Sequence, residues 1–433
     1  MIAFLIKRRG LLCLLLAGLG AGAVTAHRGA PRSVAIPLVT GRSAAPPAKR
    51  ARPRVEVPPW RQRLSLGEAK AVGDRLVQRL DDGMRIEYTL NPEMQAEALD
   101  YLRRFRVPYA ALTLYRVDTG EVLVLAGHSA RDPALGAEEL ALSPWAPAAS
   151  VYKVVTAASL IERGVPPTTS VCYHGGSRQL LQEHLTDNPS LDRSCRDMAT
   201  AVARSTNAVI GKLAARYLDR RTMRHWATRF GFDQPIPFAL PVQISRARIP
   251  SSALDRARVA AGFWQTEISA LHGAVIAGVV ADGGQLRWPH LVRSVTRADG
   301  RSLELERAPV QRVIGRRTSR ELTRMMTRTT TEGTARKAFE RRAQWPPLPD
   351  VAVAGKTGSL SRQQPYLDYS WFVGFAPADR PEVAFAALLG NPPRWRIKAA
   401  AAARALLSRY FARQQRKRAL HAAASVRPAL EGH

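Results

Sequence analysis

A serine hydroxyl is a poor nucleophile until a neighbouring group takes its proton. A lysine takes it only when burial or nearby positive charge lowers its pKa. Ser150-Val151-Tyr152-Lys153 sets these two residue types three apart. Apolar residues at 151, 154, 155, 158 and 161 recur at helical spacing, which predicts a buried helix starting near Ser150. On one helix face, residues three apart lie about 5–6 Å from each other at Cβ. The plain alternative is a capping serine beside an unrelated surface lysine, and the pattern alone does not exclude it. Composition favours the chemical reading. Lysine supplies nine of the 65 basic residues, so arginine is the default cation of this chain. Arginine does not deprotonate in proteins, so a lysine inside an apolar helix is a choice that chemistry explains.

Two further clusters follow. Ser205-Thr206-Asn207 precedes the apolar run Ala208-Val209-Ile210. A serine and an asparagine two apart in a tight turn between helices can aim both side chains into one cleft, although helix capping is their ordinary use. Val351-Ala352-Val353-Ala354 then leads as a short strand into Gly355-Lys356-Thr357-Gly358-Ser359. The glycines allow another backbone or a substrate to approach closely, and the lysine presents a charge to a carboxylate. A phosphate-cradling Walker loop is excluded, because Asp350 stands where its first glycine belongs.

The elements that must position these clusters are legible in outline. Asn91-Pro92 opens a helix to about residue 105, with Met94, Ala98, Leu102 and Phe105 as its apolar stripe. Strands at 110–115 and 122–126 are joined by a turn at Val117-Asp118-Thr119-Gly120. Residues 164–204 read as loop-rich, ending in a short helix from Met198. Residues 253–282 read as apolar helix, 287–295 and the charged stretch beyond as a surface hairpin, and 318–331 as a helix. Strands at 369–376 and 383–389 and an Ala-rich helix at 397–410 close the folded part. Residues 27–85 are expected to be a Pro- and Arg-rich linker with a short helix at 66–80, and 411–433 a basic, disordered tail.

With 433 residues and 46% apolar content the chain can bury a sizeable core. A formal net charge of +30 suits nucleic acid, an anionic polymer or a membrane surface. The arginines are spread rather than gathered, no nucleic-acid-binding motif is present, and compositional drift explains the charge equally well. Lys7-Arg8-Arg9 before the apolar run 11–24, with Val24-Thr25-Ala26 after it, reads as an export signal peptide over residues 1–26, or as a signal anchor if it is retained. Cys13 lies inside that segment. Cys172 and Cys195 either pair or remain as two buried thiols.

Taken in order, Ser150-x-x-Lys153, Ser205-x-Asn207 and Lys356-Thr357-Gly358 resemble the active-site set of penicillin-binding proteins and serine β-lactamases. Tyr88-Thr89-Leu90-Asn91-Pro92, Asp118-Thr119-Gly120, Phe230-Gly231-Phe232 and Trp371-Phe372-Val373-Gly374-Phe375 look like further transpeptidase-domain segments, so the resemblance covers residues 86–410. It implies an α+β fold: a five-stranded antiparallel sheet covered by helices, with an adjoining all-helical subdomain. It implies a peptidoglycan D,D-transpeptidase that binds penicillin and uses no metal or cofactor. Its partners would be stem peptides, β-lactam antibiotics and, for glycan synthesis, a separate polymerase, since no glycosyltransferase domain is read here; nucleic acid is not among them. The site of action would be the periplasmic or envelope side of the inner membrane.

Carried over by position, Ser150 would be the nucleophile and Lys153 its base. Ser205 would relay a proton, and Asn207 would hold Lys153 and the substrate amide. Lys356 and Thr357 would bind the terminal carboxylate, with Gly358 in the same strand. The N–H groups of Ser150 and Ser359 would form the oxyanion hole. Ser359 stands where many transpeptidases have threonine. A deacylating Glu-x-x-Leu-Asn segment is missing, which argues against a class A β-lactamase, and Asn207 argues against class D. A carboxypeptidase, a β-lactamase of another kind and a non-catalytic sensor remain the alternatives.

Overall fold

The computed structural model describes residues 58–340, 348–394 and 396–426. The expected leader and the Pro-rich stretch up to residue 57 lie outside them.

Five strands form the central sheet. β1 is Tyr109–Arg116, β2 Val122–His128, β3 Ala354–Gln363, β4 Tyr366–Ala376 and β5 Val383–Asn391. Their order is β3-β4-β5-β1-β2, antiparallel throughout. This is the sheet the motifs implied, carrying the early hairpin and the last three strands. Its strands read as nearly continuous apolar runs because both faces are covered. Ala110, Leu112 and Leu114 of β1 join Phe385, Ala387 and Leu389 of β5 in one core. The alternate residues, Ala111 and Tyr115 with Ala384, Ala386 and Leu388, join the other. That is the period-two alternation of a pleated strand.

On the first face lie the Pro92–Arg104 and Ala399–Val426 helices, contributing Met94, Ala98, Leu102, Leu406 and Leu407. Asn91 caps the former, its side chain accepting from the Met94 N–H at 2.9 Å. On the second face lies the Ala270–Ala281 helix, buried from Ala270 through Val280. It presses close to the sheet through glycine: a Cβ on Gly278 would overlap the Tyr115 hydroxyl. Beyond it the helices Tyr152–Glu162, Met198–Ala203, Asn207–Tyr217, Arg220–Arg229, Ala253–Ala260 and Arg316–Thr331 form the helical part. No helix among the described residues is long and apolar enough to cross a membrane.

The structure corrects four expectations. The stretch read as a helix at 66–80 is a hairpin, Lys70–Val72 paired with Arg75–Arg79. Gly73, at φ 59°, and Asp74 make its two-residue turn, a conformation glycine supplies without strain. Residues 292–296, expected in a surface hairpin, pair instead with Arg85–Tyr88 and complete a four-stranded sheet with that hairpin. Part of the stretch read as linker is therefore folded. Residues 253–282 are two helices separated by the Thr266–Ile268 strand, not one. The closing helix does not stop at residue 410 but continues to Val426, through residues assigned to a disordered tail. Ala, Arg, Gln and Lys there are strong helix formers, and Arg413 reaches Glu93 at 2.5 Å.

Candidate active site

Ser150 sits in a single 3-10 turn, Ala149–Val151, that runs directly into the Tyr152–Glu162 helix. The preceding Ala149 is held at φ 47°, a left-handed conformation that costs a non-glycine residue of order 1 kcal/mol or more. Three contacts fix this turn. The Ala148 N–H donates to the Thr266 carbonyl at 2.9 Å. The Trp371 indole N–H donates to the Pro147 carbonyl at 2.8 Å. Gly262, at φ 86°, leaves room that no other residue would, because a Cβ there would lie 2.2 Å from the Ala149 oxygen and 2.8 Å from the Ser150 nitrogen.

The helix after Ser150 is buried from Tyr152 to Leu160, so Lys153 is carried inside with no exposed surface. Its Nζ lies 2.6 Å from Ser150 Oγ and 2.7 Å from Asn207 Oδ1, and it donates to the Ala261 carbonyl. Ala261 is the C-cap of the Ala253–Ala260 helix, and its carbonyl is one that a helix end leaves without an intrahelical partner. The Asn207 amide is oriented by its other end, where Nδ2 donates to the Ser177 carbonyl at 2.7 Å. Burial pushes the Lys153 ammonium far below its usual pKa, and the charge of Lys356 lowers it further. In the neutral amine, two N–H bonds to Asn207 Oδ1 and the Ala261 oxygen, both pure acceptors, would leave the lone pair for the Ser150 hydroxyl.

The second cluster departs from the capping reading. The Asn207–Tyr217 helix is capped at Thr206 without a side-chain hydrogen bond. Thr206 Oγ1 accepts instead from Arg196 at 2.7 Å. Asn207 is spent on Lys153 and Ser177. Ser205 is at φ 57°, a second strained residue beside the cleft.

The third cluster lies on β3. Gly358 packs on the nucleophile turn: a Cβ there would be 3.3 Å from both the Ala148 oxygen and the Ala149 Cβ. Gly355 faces the Phe372 ring, which a Cβ would meet at 2.3 Å. Close backbone approach is thus what both glycines provide. Lys356 is fully buried, its Nζ donating to the Thr357 carbonyl at 2.9 Å. Burial brings its pKa down to about 7. Ser359 is exposed and faces the cleft.

Ser150, Asn207 and Ser359 are shared by two lobes of one cleft. One lobe, of about 560 Å³, extends past Gly262, Trp264, Gln363 and Asp368. The other, of about 410 Å³, extends past Ser205, Thr357, Thr334 and Lys398. The structure therefore brings all three clusters to one cleft, with Lys356 beneath its floor rather than lining it.

Three contributors were not singled out from the sequence. The Ala261 carbonyl is backbone, signalled only by Gly262 after a helical stretch. Thr334 bonds Thr357 Oγ1 to Oγ1 at 2.5 Å, and its N–H donates to the Ala203 carbonyl at 3.2 Å. Glu332-Gly333-Thr334 after a long helix was its sequence signal: Gly333 lies against the Ala203 carbonyl, 2.3 Å from where a Cβ would stand. Lys398 carried no signal beyond being a lysine.

Residues 110–408 match the family described as the penicillin binding protein transpeptidase domain. The chain belongs to that family. Its similarity to the peptidoglycan D,D-transpeptidase PbpA of Mycobacterium tuberculosis is 25% identity over 362 residues, 74% of this chain and 70% of the relative. Among solved structures, the imipenem acyl-enzyme complex of penicillin-binding protein A from M. tuberculosis superposes with a TM-score of 0.63 at 24% identity, covering 76% of this chain and 80% of that one. Penicillin-binding protein 3 of the same organism, complexed with aztreonam, superposes at 0.64 with 20% identity, covering 80% and 82%. These neighbours share the α+β fold described above.

Proposed function

We propose that this penicillin-binding protein cross-links peptidoglycan as a serine-type D,D-transpeptidase, with Ser150 as nucleophile. The observation that carries the reading is Lys153 Nζ, buried, 2.6 Å from Ser150 Oγ, with pure acceptors on its other two bonds. A donor stem peptide ending in D-Ala-D-Ala enters the cleft. Ser150 Oγ attacks the carbonyl carbon of the penultimate D-alanine while its proton passes to Lys153. The N–H groups of Ser150 and Ser359 receive the developing oxyanion. Collapse breaks the peptide bond, and Ser205 passes a proton to the departing terminal D-alanine. An amine of a neighbouring stem peptide then attacks the ester and frees Ser150. Thr357, steadied by Thr334, receives the terminal carboxylate. Lys356 acts from below through its charge, which adds to burial in lowering the Lys153 pKa. A β-lactam follows the same first step, its ring amide standing in for the peptide bond. Residues 1–26 deliver this domain to the envelope side of the membrane.

The deciding experiment is intact-mass analysis after incubation with benzylpenicillin, beside Ser150→Ala. A stable adduct of one drug on the wild type alone is the expected outcome. Folded wild-type protein without an adduct would defeat the reading, and rapid loss of the adduct with destruction of the drug would make the protein a β-lactamase.

A further inference from the structure

A carboxylate held in the lobe beside Thr357 is bound more strongly where a cation meets it, and the one supplied by the third motif is buried. Lys356 has no exposed surface, its Nζ is bonded to the Thr357 carbonyl, and it is not among the residues lining either lobe. Among the described residues that line the lobe beside Thr357, the one that carries a charge is Lys398. It shares that lobe with the hydroxyls of Ser205, Thr334 and Thr357. Three hydroxyls and an ammonium are the donors a carboxylate takes.

The fold also holds this lysine in place. Lys398 immediately precedes the Ala399–Val426 helix, and its carbonyl accepts from the N–H groups of Ala401 at 3.0 Å and Ala402 at 3.3 Å. The next N–H, of Ala399, donates at 3.1 Å to Ser370 Oγ. Ser370 is buried on β4, directly opposite Ser359 of β3 in the sheet register. The lysine backbone is thus tied to the strand that pairs with the third motif, while its side chain is exposed at the cleft. In a chain whose cations are mostly arginine, a lysine here offers a compact point charge on a flexible stem.

Building on the acyl-serine reading above, we propose that Lys398 is a specificity residue that binds the free carboxylate of the donor stem peptide, and of a β-lactam, directly. Lys356 then tunes the base from beneath, and Lys398 makes the contact that selects ligands with a free carboxylate.

The test compares acylation of the full-length protein by benzylpenicillin and by its methyl ester, which lacks the charge. Second-order rates are read by intact mass for wild type, Lys398→Met and Lys398→Arg, with melting temperature as a fold control. Lys398→Met should slow acylation by the free acid about 10- to 100-fold and leave the ester rate unchanged. The loss should appear in saturation rather than in the limiting rate. Lys398→Arg should restore most of the preference. Equal losses for acid and ester, or no loss for the acid, would overturn the proposal, as would a wild type that does not distinguish the two drugs. In those cases adducts still form and the acyl-serine reading stands. Folded wild type that forms no adduct with either drug removes the underlying reading and this proposal with it.

Discussion

Among the described residues three lysines have no exposed surface, and they fall into two kinds. Lys212, in the Asn207–Tyr217 helix, is surrounded by acid. Its Nζ is 2.6 Å from Asp192 and 3.1 Å from Asp187, with the Cys172 carbonyl at 3.0 Å. The Cys172–Cys195 disulfide joins the paired strands Ser170–Tyr173 and Ser194–Asp197, which settles the open pairing of those cysteines. Burial works to raise the Asp192 carboxyl pKa, but the Lys212 hydrogen bond, with others from Asn188 and His174, brings it well below the usual carboxylate range. Lys153 and Lys356 are equally buried, but the partners described for them are neutral: hydroxyl, amide and carbonyl oxygens. Burial alone therefore does not make a base. A carboxylate beside a buried lysine pairs with its charge and makes it structural, whereas burial among neutral partners lowers the pKa, helped at Lys153 by a second cation, and makes the amine available as a base.

The sharpest way to break that contrast is to remove each kind of lysine. Lys153→Met should lower the rate of acylation about 10²- to 10⁴-fold, the usual range for a general base. Thermal stability near neutral pH should hold or rise, because a buried group that resists its charge is replaced by an apolar one of similar length. Lys212→Met should do the reverse. It leaves Asp192, whose side chain is 4% exposed, buried without its cation, and costs about 3–5 kcal/mol of stability. Acylation by the fraction that remains folded should be unchanged. Unfolding curves and acylation rates on both variants read the comparison. It collapses if Lys212→Met loses acylation in the folded state, or if Lys153→Met keeps it.

The second test addresses the cation beside the base. The Lys356 charge lowers the Lys153 pKa, so Lys356→Met should let that pKa rise. The sign follows directly. Acylation needs neutral Lys153, so the rate falls as pH drops through its pKa. Raising that pKa moves the acid limb of the pH–rate profile to higher pH. In the wild type Lys356 itself loses its charge as pH rises through about 7, so its effect on Lys153 fades above that value. An acid limb that stays in place in Lys356→Met would mean that burial alone sets the base.

The sequence made some of these parts visible and not others, and the dividing line is physical. Ser150 and Lys153 could be paired because helical spacing is local and the surrounding residues are apolar. Gly355 and Gly358 announced close approach, although the sequence did not say that Lys356 would be drawn under the cleft floor. The Ala261 carbonyl could not be read, since every residue has one. Thr334 and Lys398 come from segments far from the motifs and meet them only through the fold. The hairpin at 70–79 was misread for a related reason. Its sheet is completed by residues 292–296, more than 200 positions away, and no window along the chain contains both. The stretch after residue 410 was read as a basic, disordered tail, and its charges find their partners only through the fold. Arg418 reaches Glu382 at 3.2 Å, and Glu382 also accepts from the Tyr410 hydroxyl.

Thr334 gives the smallest expected effect and tests how far the site depends on supports that do not touch the base. Its hydroxyl meets that of Thr357 at 2.5 Å, and its backbone is held on the Ala203 carbonyl. Thr334→Val keeps the shape and removes one hydrogen bond, a loss of about 1 kcal/mol. A Thr357 hydroxyl released from that partner rotates more freely and meets the ligand carboxylate less well. The expected result is a roughly fivefold drop in acylation by benzylpenicillin, carried by weaker saturation, with the limiting rate and its pH dependence unchanged. A shift in the acid limb would contradict this, because it would make Thr334 part of the electrostatics around Lys153 rather than a support for the carboxylate lobe.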